Sequence, residues 1–193
     1  MTRLMGQNMM RHDGDAHQSQ RRAMQPAVSP RAVQRHWRNA FREAAVRVLD
    51  ELAPKGRADL CTDYAMTLSG EALRLITGLD NVTAHEMDAH SQAMIDGISN
   101  YAGDADIEAR CLGAVAALDA AIGARLDDFA ASPPDPDSID GVSVIAVLQR
   151  AGATHDQILA NVKLVISGGQ NEPRDAIAGA CLLYTSDAAD ERS

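Results

Sequence analysis

The sequence predicts a mainly α-helical chain with little or no β-sheet. Three observations carry that prediction. Apolar residues recur at helical spacing through most of the 193 residues. Good helix starts stand at intervals: Ser29-Pro30, Thr83 with Glu86, and Thr154 with Gln157. Aromatic residues number only one Trp, three Tyr and two Phe. That is too few for a β-sandwich or for a stacking surface that binds nucleic acid.

The elements follow in order. Residues 14–25, rich in Gln, Arg and Ala, predict a first helix. Ser29 caps a second, with Pro30 at a position where its missing N–H has no partner anyway. Val33, Trp37, Phe41, Ala44, Val48 and Leu52 form its inward face, and Pro54-Lys55-Gly56 stops it. Arg57–Leu60 is a short segment able to pair as a strand. A third helix over 63–78 places Ala65, Leu68, Ala72, Leu75 and Leu79 on one face. The capping box at Thr83 and Glu86 opens a helix carrying Met87, Met94, Ile98 and Tyr101. The next helix, 104–131, turns Ile107, Cys111, Val115, Leu118, Ile122, Leu126 and Phe129 inward. Residues 132–141 are an acidic, proline-rich loop, followed by a short helix at 142–150 and a last one from His155.

Composition narrows the class. Apolar residues make up 46 % and charged residues 23 %, enough to bury a core, so a disordered chain is excluded. No run approaches the length of a membrane span, and the first ten residues lack the apolar stretch of a signal peptide. Residues 1–57 carry eleven Lys/Arg against five Asp/Glu, within a chain of net charge −9. That imbalance marks a local surface for an anionic partner and not general affinity for nucleic acid. On spacing alone the alternative is a solvated helix face. Cys61, Cys111 and Cys181 form neither a zinc pattern nor a disulfide framework. Cys61 and Cys111 read as buried residues of a reducing compartment. His85 and His90 are five apart and do not share a helix face as metal ligands would.

Two segments stand out. In Asp13-Gly-Asp-Ala-His17-Gln-Ser-Gln-Arg21, His17 and Arg21 are one helical turn apart. A histidine and an arginine on one face can hold a carboxylate together, although a surface pair is the commoner outcome. In Ser167-Gly168-Gly169-Gln170-Asn171-Glu172-Pro173, an apolar helix meets two glycines and then a proline. Glycine lets a flat group approach the backbone, and Pro173 cannot donate to the Gly169 carbonyl, so the helix bends or opens there. The alternative is a helix end near Gly168 followed by a loop.

In this order the two segments resemble the soluble, bacterial-type cytochrome P450 family, the haem-thiolate monooxygenases. The family pattern of an acidic run, His-x-x-x-Arg and a following Ser-Pro-Arg reads here as Asp13–Arg21 and then Ser29-Pro30-Arg31, with Val28 where phenylalanine is common. The resemblance implies a partial P450 fold running from the C helix to the I helix. Residues 1–180 would form the partial domain. His17 and Arg21 would bind haem propionates from the C helix. The helix from Ser29 would be D, and 68–80 would close E. Residues 83–100 and 104–131 would be F and G, and the helix from His155 would be I. Gly168 and Gly169 would lie against the haem. The family's alcohol on the I helix is missing: aligned on the glycines, Asn171 takes the acid position and Glu172 the alcohol position, whereas a one-residue slip leaves Glu172 as the acid and Pro173 in place of the alcohol. Proton delivery then falls to Glu172, or to water held at the opened Gly169 carbonyl.

The resemblance also implies missing parts. The Glu-x-x-Arg segment and the cysteine loop of the family follow the I helix, and neither occurs here. The chain is therefore expected to be an internal fragment without its axial cysteine, inactive by itself. The run Cys181–Ser193 resembles a translated sequencing adapter, which sets 181–193 apart as a tail. The parent is expected to be cytoplasmic, with haem as cofactor. It would oxygenate a small apolar organic substrate, taking electrons from a ferredoxin or flavoprotein docked on Arg11, Arg22, Arg31, Arg35 and Arg38. The competing readings are a peroxide-using haem-thiolate enzyme and a non-catalytic helical interaction module.

Overall fold

A computed structural model describes residues 5–190, with side chains through Tyr184. Among the described residues there is no strand. Eight main helices follow a short 3-10 turn at Met9–Arg11: α1 (Gly14–Val28), α2 (Arg38–Leu52), α3 (Met66–Thr77), α4 (Ala84–Ile98), α5 (Ala105–Ala131), α6 (Val144–Arg150), α7 (His155–Gly169) and α8 (Asn171–Asp190). Helix α7 packs against α3, α4, α5, α6 and α8, and so forms the spine of the bundle. Helices α2, α3, α4 and α5 pack in sequence, each on the next. Helix α1 lies against α6.

The helix starts behave as their residues require. Ser29 Oγ accepts from the Ala32 amide at 3.1 Å. Thr83 with Glu86 and Thr154 with Gln157 both close as capping boxes. Gly56 adopts a left-handed φ of 67° where the second helix stops. Gly78, at φ 86°, ends α3, and a Cβ added there would stand 2.7 Å from Ser143 Oγ. Gly70 brings α3 against α4, because a Cβ there would meet the Ala84 carbonyl oxygen at 2.7 Å.

The core is one cluster built around Leu79, Met87, Met94, Leu118, Ile122, Ile145, Leu148, Val162 and Ile166. In α6 five successive residues, Val144–Leu148, are buried, so this helix is covered all round. The inward face of α5 matches the heptad-like spacing at Cys111, Leu118, Ile122, Leu126 and Phe129, while Ile107 and Val115 are half-buried.

Several expectations need correction. Val33 is not inward; Ala32 is, and a π-helical turn at Val33–Trp37 separates it from α2. The wider turn holds Ala32 and Trp37, five apart, on one side. It aims Trp37 Nε1–H at the Ala27 carbonyl, 2.6 Å away, and stacks Trp37 on Phe41. The strand expected at Arg57–Leu60 is absent: residues 57–59 form no regular element, and a second π-helical turn, Leu60–Ala65, begins at its end. Asp59 starts that turn by accepting from the Thr62 and Cys61 amides, which in that order hold its carboxyl below the usual range. Cys61 is exposed, not buried. On α3 the buried residues are Ser69, Gly70, Leu73 and Thr77, while Leu68, Ala72 and Leu75 are half-buried. Tyr101 lies beyond α4 and is exposed. Helix α8 runs without a break through Ala180 to Asp190, although Leu182, Leu183 and Tyr184 are uncovered.

Candidate functional site

His17 and Arg21 lie in the first half of α1, the helix that follows the Asp13 N-cap. The buried side of α1 carries Gln20, Met24 and Ala27, and His17 sits on its shoulder, half-buried. The His17 Nδ1–H donates to the Met9 carbonyl at 2.9 Å, which leaves Nε2 for another partner. Arg21 is exposed, and no described residue pairs with it. The helix thus presents one fixed ring and one free guanidinium a turn apart, an arrangement suited to an anionic group.

Helix α1 meets α7 through Asn161, which sequence reasoning did not find. Asn161 Nδ2 donates to Gln20 Oε1 at 2.8 Å, and Asn161 Oδ1 accepts from the Met9 amide at 2.9 Å. One fully buried asparagine therefore ties α7 to both α1 and the segment that holds His17. A nine-residue stretch of α7 separates this junction from Gln170, about 14 Å along the axis.

The helix does break where glycine and proline predicted. Helix α7 ends at Gly169, Gln170 stands between helices with φ −90° and ψ −48°, and α8 resumes at Asn171. The loop expected by the competing reading is absent. Pro173 is the third residue of α8, where a helix tolerates a missing N–H. Gly168 is exposed and an added Cβ would meet nothing within 4 Å, so the backbone there is open to an approaching group. Gly169 packs on Leu73, which would stand 3.0 Å from an added Cβ. Asn171 is half-buried with its Oδ1 lacking a hydrogen-bond partner, and Glu172 is exposed.

Serines from two neighbouring helices hold the break. Ser91 Oγ of α4 donates to the Ile166 carbonyl at 3.1 Å. Ser69 Oγ of α3 donates to the Gln170 carbonyl at 2.7 Å. The Gln170 side chain is fully buried and donates to Asp88 Oδ1 at 2.9 Å. Ser69, Ser91 and Asp88 escaped the sequence reading, and Gln170 was seen there only as part of the broken segment, because a polar residue on a half-buried helix carries no periodic signal. No hydrogen bond or ion pair among the described residues joins His17 or Arg21 to the break.

Other features do not compete with these two places. A cleft of about 710 Å³ lies between the 6–20 segment, α5 and α7, and holds the Lys163–Asp119 pair at 2.5 Å. None of His17, Arg21, Gly168, Gly169, Asn171 or Glu172 lines it. Burial pushes the Cys111 thiol above its ordinary range, so it stays protonated near neutrality. Among the described residues no group of His, Cys, Asp or Glu is arranged to hold a metal ion. No described helix is long and apolar enough to cross a membrane.

Comparison with known proteins shows what the chain is similar to. No family model matches the chain. Over 85 residues, 44 % of this chain and 22 % of the relative, it is 34 % identical to a C-19 steroid 1alpha-hydroxylase of Sorangium cellulosum strain So ce56. Its structure superimposes on cytochrome P450 260B1 of the same organism with a TM-score of 0.69 and 25 % identity, covering 86 % of this chain and 41 % of that one. P450BioI, solved with an acyl carrier protein bearing hexadec-9Z-enoic acid, gives a TM-score of 0.70 at 16 % identity over 88 % and 42 % of the two chains. The chain thus spans about two fifths of the length of these structures and less of the curated relative. Taken with a mainly helical bundle whose spine is broken at Gln170, these likenesses show that the chain has part of the cytochrome P450 fold and is similar to a fragment of a cytochrome P450.

Proposed function

We propose that the protein to which this chain belongs is a haem-dependent monooxygenase. It inserts one oxygen atom of dioxygen into an apolar organic substrate, with two electrons from a ferredoxin or flavoprotein, and works in the cytoplasm. The observation that carries this reading is the broken spine at Gln170 within a helix order shared with P450 structures. An apolar substrate is supported by the names of two similar proteins, a steroid hydroxylase and a P450 solved with a fatty-acyl carrier protein.

The residues present fit a haem at its carboxylate edge and along one face. His17, braced by Met9, and the unpaired Arg21 would hold the propionates. The exposed backbone at Gly168, with the half-buried Gly169 beside it, would lie against the macrocycle. When bound, the haem iron supplies the oxidising chemistry. Asn171 and Glu172 would govern protons at the break, Glu172 as the only ionisable group of the pair. The axial thiolate would come from outside this chain. Cys61 is exposed near the start of a π-helical turn and Cys111 is buried in α5, so neither sits in a loop facing the break. Residues 1–180 would be the P450 domain and 181–193 an appended tail, in keeping with the uncovered Leu182, Leu183 and Tyr184. The exposed Arg31, Arg35 and Arg38 would attract an acidic electron donor.

A peroxide-driven variant is the second reading, favoured by the absence of an alcohol at the break, where Glu172 is followed by Pro173. The non-catalytic module is disfavoured because α8 resumes at once after Gln170. Reading the coding sequence beyond codon 180 is the first test, with a Glu-x-x-Arg segment and a Cys-x-Gly loop expected. The complete protein should give the thiolate band in a reduced carbon monoxide difference spectrum, and the 193-residue chain should not. An early genuine stop, or a complete protein without that band, overturns the proposal. Arg21→Ala with His17→Ala should weaken haem retention in the complete protein. Dioxygen-dependent turnover with a reduced ferredoxin separates the main reading from the peroxide one.

A further inference from the structure

Gln170 is the most connected residue at the break. Its carbonyl accepts from Ser69 Oγ of α3 at 2.7 Å, and its Nε2 donates to Asp88 Oδ1 of α4 at 2.9 Å and reaches the Met66 carbonyl at 3.4 Å. Asp88 Oδ1 also lies 3.6 Å from Arg174 Nη1 on α8. One fully buried residue therefore joins α3 and α4 at the point where the spine is interrupted, and Asp88 extends the network to Arg174 on α8. We propose that the Asp88–Gln170 hydrogen bond is a latch: it fixes α4 to the break and sets the position of Asn171 and Glu172.

The chemistry of the pair supports this. An ionised carboxylate only accepts, so Gln170 must turn its NH2 toward Asp88. That choice leaves Gln170 Oε1 buried without a donor, and the adjacent Asn171 Oδ1 is in the same condition. Buried acceptors without partners are uncommon, and each one costs folding free energy. An apolar residue would fill the space at 170 without that cost. The glutamine is therefore explained by where it holds the backbone. Glycine and proline make the helix breakable, and the latch decides in which direction the two halves point. As a positioning residue for proton control, Gln170 rests on the monooxygenase reading. The latch itself does not.

The test is amide hydrogen exchange on the full 193-residue chain at neutral pH, in four variants. Gln170→Glu sets a carboxylate against Asp88 and should speed exchange of the amides of 166–175 and of the Asp88 turn by about tenfold or more. Gln170→Leu should speed the same amides without a charge conflict. Asp88→Asn alone should change little, because the asparagine oxygen still accepts. Gln170→Glu combined with Asp88→Asn reverses donor and acceptor and should return exchange to within about threefold of the starting protein. Equal exchange in the single Gln170→Glu and the double variant overturns the latch, as does a Gln170→Glu variant indistinguishable from the parent. If Gln170→Glu does not fold, recovery of folding by Asp88→Asn supports the latch and failure to recover overturns it. In the complete protein Gln170→Leu should divert electrons from product to free hydrogen peroxide. If exchange behaves as expected but this diversion is absent, the latch stands and its link to proton control falls.

Discussion

Replacing Arg125 by alanine should destabilise the chain by about 3 kcal/mol. Arg125 is 7 % exposed on α5, and its Nε–H donates to the Gly78 carbonyl at 2.8 Å. Its guanidinium also lies within 3.0 Å of Asp80, 3.4 Å of Asp128 and 3.5 Å of Asp140, and 4.5 Å from the centre of the Phe129 ring. The three carboxylates are 51–66 % exposed, so solvent screens each pair to a few tenths of a kcal/mol. The charged hydrogen bond to a buried carbonyl contributes about 1.5–3 kcal/mol, and the contact with the ring about 0.5–1 kcal/mol. Loss of the buried aliphatic stem adds about 1 kcal/mol. Urea unfolding followed by circular dichroism measures the sum. Arg125→Met keeps the stem and should recover only that last part. Raised salt should change the parent's stability little, since the carbonyl bond is not an ion pair. A loss below about 0.5 kcal/mol for Arg125→Ala would refute the reasoning, because it would mean that water reaches the Gly78 carbonyl freely.

Three further outcomes follow from the same physics. Trp37→Phe leaves the Ala27 carbonyl without its 2.6 Å donor and should cost about 1–3 kcal/mol in the same unfolding assay. Gly78→Ala meets both a left-handed φ of 86° and Ser143 Oγ at 2.7 Å, so its thermal midpoint should fall by several degrees, while Gly56→Ala, with φ 67° and open space, should fall less. The Glu86 carboxyl is held below 4.5 first by the Thr83 amide and then by its hydroxyl. Its contribution is present above the unfolded value and is lost as pH falls through the lower folded value. A carbon-detected NMR titration should place the Glu86 midpoint below that of an unfolded peptide, and Thr83→Ala should move it back up.

The two capping boxes, Ser29-Pro30 and the glycine stop at Gly56 were readable because capping is a local interaction among residues three or four apart. The inward face of α5 was readable because a long helix against one core repeats its apolar pattern many times. The failures share a cause as well. Val33 and Ala32 exchange places because a π-helical turn inserts an extra residue, and nothing in Val33–Trp37 signals it. The turn exists because Trp37 reaches the Ala27 carbonyl, a contact ten residues distant. Ser69 and Thr77 are buried on α3 because they meet carbonyls: Gln170 across the bundle for one, Leu73 and Arg74 of the same helix for the other.

The amino-acid sequence by itself determined the helical class, the helix starts and the place where the spine breaks, since these depend on neighbours along the chain. It also contained His17 and Arg21 on one face and the two glycines before Pro173. Only the tertiary structure decided what holds that break, through Ser69, Ser91 and Asp88 converging on Ile166 and Gln170 from 75 to 101 residues away. A hydrogen bond between groups so distant has no period and no local propensity. It comes into being when packing removes water from both partners and leaves each the other as its remaining option.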